Sequence, residues 1–233
     1  MAPFPQRNEQ STLPCPSWVF SNNSDVHVAK DRSWFGDDYT PFASSFHDIS
    51  GNMIEVVGVG SVTLPTKTSP RQTGPSSHGI LRLKQVLHAP GALCNLIGGP
   101  ITDDHGVVTF VSDGSSGFIT KGPEGHPVAY FKPQGGNVVL LEVSLSEPPI
   151  GPRVGPSPFH PSGLYMIHAF WPETERRKFA ARPLTPAEKA WRKRHFGSEF
   201  KFLQMYDLSI YNEDDREQGR RISRALMSDG DSE

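Results

Sequence analysis

Between Ile54 and Val143 the apolar runs are short, partly alternating, and closed by turn residues, with no helical-period segment between them. Ile54–Leu64 carries Gly58 and Gly60 inside it, which marks bulges or points where another backbone approaches closely. After Thr66–Gly79, which reads as a long polar loop, Ile80–Leu87 alternates and stops at Ala89-Pro90-Gly91. Val107–Val111 runs into Ser112-Asp113-Gly114, Phe118–Thr120 into Gly122-Pro123, and Val128–Phe131 into Pro133; Val138–Val143 closes the series. Strands at such spacing predict a mainly β fold, a barrel or a sandwich.

Charge divides the chain. The last 61 residues hold 13 of the 23 lysines and arginines and 12 of the 25 acids, while the preceding 172 are weakly charged and broken by most of the 22 glycines and 22 prolines. The expected organisation is a flexible tail at 1–14, a β body at 15–146, a Pro-rich linker at 147–162, an additional strand at 163–172 and a charged helical extension at 173–233. The strand at 163–172 would return to the body or cover its edge. In the extension, Thr185-Pro186-Ala187-Glu188 has the N-cap, first-turn proline and capping-box glutamate of a helix start. A second helix is expected after Asn212, with Glu213–Asp215 at its start and Arg220, Arg221 and Arg224 near its end, the order that complements the helix dipole.

The formal net charge of −2 supplies no attraction for nucleic acid or an acidic membrane, so neither is expected as a partner. Two cysteines, Cys15 and Cys94, fit a reducing compartment better than a disulfide scaffold. With no apolar core for a secretory signal and no run able to span a bilayer, a soluble protein of the cytoplasm is expected. The nine histidines include no pair at the i, i+4 spacing of a helical metal site, and no cofactor or metal is expected.

Three stretches carry a resemblance. They are Trp18-Val19-Phe20-Ser21-Asn22-Asn23-Ser24-Asp25-Val26-His27 followed by Asp31-Arg32-Ser33-Trp34-Phe35, then Val57-Gly58-Val59-Gly60-Ser61-Val62, then Leu83–Ile97 with its Val86-Leu87-His88-Ala89-Pro90 centre. In that order they resemble the retropepsin-like protease domain in the polyprotein of Copia-type retrotransposons, over about residues 15–171. The resemblance implies a closed β-barrel, here with a C-terminal helical extension, and a homodimer. It reads the chain as a stand-alone, domesticated descendant of such a domain.

Aligning Trp18 and His27 with the family pattern puts Ser21 where the family has its catalytic aspartate. Asn22, Asn23 and Ser24 fill the rest of the former active-site loop. Aspartic proteolysis needs two carboxylates sharing one proton. A serine hydroxyl does not titrate near neutral pH. The expectation is a proteolytically inactive barrel acting as a binding or interaction module. The alternative is a co-opted, cofactor-free enzyme that uses the former cleft as a small-molecule pocket for a cyclisation or isomerisation, with Asp25 and His27 as candidate acid–base residues; residual aspartic proteolysis ranks third. His27 and Asp25 share a face if their segment is a strand. Trp191-Arg192-Lys193-Arg194-His195 stands where the family carries a zinc-binding set, but no cysteine follows, so this segment reads as an amphipathic helix.

Overall fold

The computed structural model describes residues 13–109, 115–122, 125–133, 140–160 and 163–230. Most of the expected tail, the Ser112–Gly114 turn with Asp113, Pro123, Val138–Val139 and Pro161 lie outside the described residues. The chain forms two compact units, Met1–Trp171 and Pro172–Glu233, each described by itself.

The first unit is mainly β. One sheet has the order β10-β1-β6-β2-β5-β4-β3, formed by β1 (Trp18–Ser21), β2 (His27–Ala29), β3 (Thr40–His47), β4 (Met53–Lys67), β5 (His78–His88), β6 (Asn95–Gly98) and β10 (Leu141–Glu142). A second sheet has the order β7-β8-β9, from His105–Thr109, Gly117–Lys121 and Pro127–Phe131. β1 runs parallel to β6, and β2 parallel to β5; the β3–β4–β5 ribbon is antiparallel.

The expected closed barrel is not what the described strands form. The outermost strands of the large sheet, β10 and β3, do not pair with each other. β10 has only two residues, and β3 carries Pro41, whose ring nitrogen has no hydrogen to give a ladder. The segment that follows β10 bridges to both sheets, Val143 to Phe131 of β9 and Leu145 to Thr66 of β4.

Trp18, Leu64, Leu81, Leu83, Ile97, Ile119 and Phe131 are fully buried between these layers, with Trp18 edge-on to Trp34 at 5.5 Å. The glycines of β4 have a packing reason. The Tyr39 ring lies across Gly58, where a Cβ would collide with it, and Gly60 faces the Tyr39 backbone and Phe35. The β4–β5 register shifts between Gly60 and Val62, so the strand also bulges there. β4 extends to Lys67 and β5 begins at His78, which shortens the long loop expected from the sequence.

The second unit holds four helices where the sequence pattern predicts one or two: α1 (Glu173–Ala181), α2 (Pro186–Phe196), α3 (Glu199–Met205) and α4 (Glu213–Gly230). α1 escapes a periodicity reading because a single residue, Phe179, is buried on it. α3 is a short helix restarted after Gly197, which takes φ +81°, and capped by the Ser198 hydroxyl on Lys201 N. At α2 the Thr185 hydroxyl accepts from Glu188 N and the Glu188 carboxylate accepts from Thr185 N. Among the described residues no helix is long and apolar enough to cross a membrane.

Candidate functional site

β1 ends at Ser21, and the chain turns through Asn22 and Asn23, closed by Ser24 N donating to Ser21 O at 3.1 Å. This loop crosses directly over the end of β6. Gly99 N donates to Ser24 O at 2.7 Å, and a Cβ on Gly98 would collide with the Val26 and Ser24 carbonyls. Two adjacent glycines after a buried strand are the sequence signal of such an approach.

A second segment, Ile167–Trp171, lies along the same loop. The Ala169 amide donates to Ser24 Oγ at 3.0 Å, Ser24 Oγ donates to Ser21 Oγ at 3.0 Å, and Ser21 Oγ donates to Ile167 O at 3.0 Å. The chain of bonds therefore starts and ends on the same segment. Asp25 N donates to Ala169 O at 3.1 Å, and Trp171 N donates to Asp25 Oδ1 at 2.8 Å. On the segment's other side, Phe170 exchanges backbone hydrogen bonds with His47 at 2.8 and 2.9 Å. The Trp171 indole donates to Ser44 Oγ at 3.0 Å. Ser24, Ala169 and Trp171 are each about 1 % exposed, so these polar groups have little water to fall back on.

The structure places the sequence candidates in separate roles. His27 opens β2, is buried, and its Nδ1 accepts the Gly98 amide at 3.0 Å. Burial, and then the neighbouring His105, push its pKa down to about 4, so the ring is neutral at physiological pH. Asp25 lies in the turn before β2 with its carboxylate on the Trp171 amide. The two side chains are thus each bonded to a different backbone amide, Asp25 to that of Trp171 and His27 to that of Gly98. Ser21 is not aimed at His27: its hydroxyl proton goes to Ile167 O.

Beside the loop is an open cleft of about 300 Å³ lined by Asn22, Asn23, Ser24, Asp25, Gly99, Pro100 and Asp103. Asn22 and Asn23 are exposed on its rim. Among the described residues no group of three or more His, Cys, Asp or Glu is placed to hold a metal ion. Cys15 and Cys94 are free thiols, and burial raises the pKa of both, that of Cys94 to about 12.

The residues that sequence reasoning missed are Gly98, Gly99, Ile167, Ala169 and Trp171. The last three sit in the run that reads as an additional strand, but nothing local in it names the loop as its partner.

Comparison of the chain with protein-family models, curated proteins and solved structures returns no match.

Proposed function

We propose that the β unit is a degenerate retropepsin-like domain of Copia type that has exchanged proteolysis for a role as a binding and interaction module. The observation that supports this reading most directly is what the Ser21, Ser24 and Asp25 side chains bind. At the position where the resemblance expects a catalytic carboxylate, the Ser21 hydroxyl is tied between Ser24 and Ile167. The neighbouring carboxylate, Asp25, accepts a backbone amide, and His27 is a neutral, buried acceptor. An aspartic mechanism needs a carboxylate free to take a proton from water. A Ser–His mechanism needs the hydroxyl bonded to the imidazole. In this loop the Asp25 carboxylate accepts the Trp171 amide, and the Ser21 hydroxyl is bonded to Ile167 O and not to an imidazole, which supports the non-catalytic reading.

The small-molecule enzyme reading draws less support from the same cleft. Pockets that enclose a reacting small molecule are concave and mostly apolar. The cleft beside Asn22–Asp25 is open and rimmed by polar side chains. A thermal-shift titration with pepstatin, whose statine hydroxyl is recognised by a paired-carboxylate site, tests the proposal. The expected result is no change in Tm at a large excess of inhibitor; a saturable rise of several degrees would overturn it.

A further inference from the structure

The helical unit is nearly balanced in charge, but its charges are not evenly partnered. Glu173, Glu175, Glu188, Glu199, Glu213 and Glu217 each bind a basic side chain, and five of these six acids bind arginine. Lys189, Lys193, Arg194 and Lys201 have no acidic partner among the described residues, and all four are exposed on α2 and α3. The balance of the whole unit therefore hides a positive surface on those two helices.

That surface carries a groove of about 500 Å³ lined by His195, Phe196, Lys201, Gln204 and Met205. Its lining is mixed, with the apolar share from Phe196 and from Met205, which is 67 % exposed. Phe196 packs edge-on to the buried Phe202 at 4.8 Å, so the wall is anchored to the unit's core. Lys193 and Arg194 sit in the last turn of α2, where the helix dipole favours cations in any case. Lys201 does not have that explanation. It sits in the first turn of α3, the end that the dipole makes unfavourable for a cation, and it lines the groove.

We propose that this groove docks an acidic amphipathic helical segment of a partner protein, with its apolar side chains against Phe196 and Met205 and its carboxylates opposite Lys193 and Lys201. Charge complementarity selects the sign of the partner, and the helix-in-groove mode fits an open groove that sets Phe196 and Met205 beside Lys201. A membrane-binding face would call for a long apolar stripe, where this groove offers Phe196 and Met205. Single-stranded nucleic acid would call for a row of cations along the floor, where this groove has one lysine. The proposal is independent of the chemistry of the Ser21–Asp25 loop.

The test uses the full chain and a fluorescein-labelled fifteen-residue peptide with Leu and Phe at i, i+4 spacing and Glu at its other positions. The comparison probes are the same peptide with Lys for Glu, a twenty-nucleotide oligothymidine, and phosphatidylserine vesicles. The expected result is saturable binding of the acidic peptide that weakens with salt, and that falls about tenfold in Lys201→Glu at unchanged Tm. Equal binding of the Lys peptide, tighter binding of the oligonucleotide or the vesicles, or no saturation below about 1 mM would each overturn it. Should Lys201→Glu lower the Tm, the peptide-charge comparison on the unaltered chain decides alone.

Discussion

The amide of Trp171 donates to Asp25 Oδ1 at 2.8 Å across 146 positions of sequence, and this bond clamps the Ile167–Trp171 segment to the loop. Ser24 holds the same segment two residues earlier, through the Ala169 amide at 3.0 Å. A structural role for these residues makes a quantitative claim. Asp25→Ala and Ser24→Ala each leave an amide without its acceptor, at a cost of about 1–3 kcal/mol in urea unfolding. Asp25→Asn keeps an oxygen at the same place and is expected to cost less than Asp25→Ala. Because Ser21, Ser24 and Asp25 bond one segment, the Ser24→Ala/Asp25→Ala double variant is expected to depart from additivity. Costs below a few tenths of a kcal/mol for both single variants would show that the clamp does not hold the loop.

His27 gives the unit a pH dependence of known sign. Its folded pKa of about 4 lies below the ordinary value of 6.5, so between these two limits the unfolded chain binds the proton more readily. The contribution is complete above pH 6.5 and is lost as the pH falls through the window to 4, amounting to about 3 kcal/mol. Burial depresses His88 and His105 as well, which adds slope in the same direction. His27→Asn presents an acceptor to Gly98 N without a titrating ring. Urea unfolding at pH 7.5, 5.5 and 4.5 is expected to show a shallower fall for this variant than for the parent; parallel curves would exclude His27 as the source.

In the helical unit, Arg224 is the residue around which the α1–α2 connection is wrapped. Its guanidinium donates to Ala180 O at 2.6 Å, Arg182 O at 2.9 Å and Glu188 Oε1 at 2.8 Å. Burial pulls the Glu188 carboxyl upward, but the Arg224 bond, the Thr185 amide and the charges of Arg224 and Arg182 outweigh it and hold it low. Removing Arg224 leaves that carboxylate half-buried without its main partner. Arg224→Met is expected to destabilise the unit by about 3–5 kcal/mol. Amide exchange followed by mass spectrometry is expected to show lost protection across α1 and α2; unchanged exchange there would remove Arg224 from this role.

How much of this the sequence discloses follows the distance between partners. The Thr185–Glu188 box spans three residues, so the start of α2 can be read directly. Gly58 and Gly60 announce a close approach inside an apolar run, although not that Tyr39 makes it. Asn95-Leu96-Ile97 is conspicuous as a motif, and as β6 it lies beside β1, with the Asn95 side chain accepting from Lys30 N and donating to Cys15 O. The clamp is invisible because Ser24 and Ala169 are 145 positions apart and meet through a backbone amide, which any residue but proline supplies. The open sheet escapes for a related reason, since alternation shows which face of a strand is buried but not whether its edge finds a partner. The groove on α2 and α3 lay hidden because a charge count says nothing of which cations an acid partners, and Lys193, Arg194 and Lys201 are not among those that the acids bind.

The loop from Ser21 to Asp25 holds the chain's own Ile167–Trp171 segment, and under the proposed function it performs no hydrolysis. The most direct measurement is mass-spectrometric detection of cleavage in a diverse peptide library incubated with the purified chain from pH 3 to 8. The expected result is a cleavage profile identical to that of buffer at every pH, for the parent chain and for Asp25→Asn alike. Pepstatin-sensitive cleavage by the parent that disappears in Asp25→Asn would contradict the account.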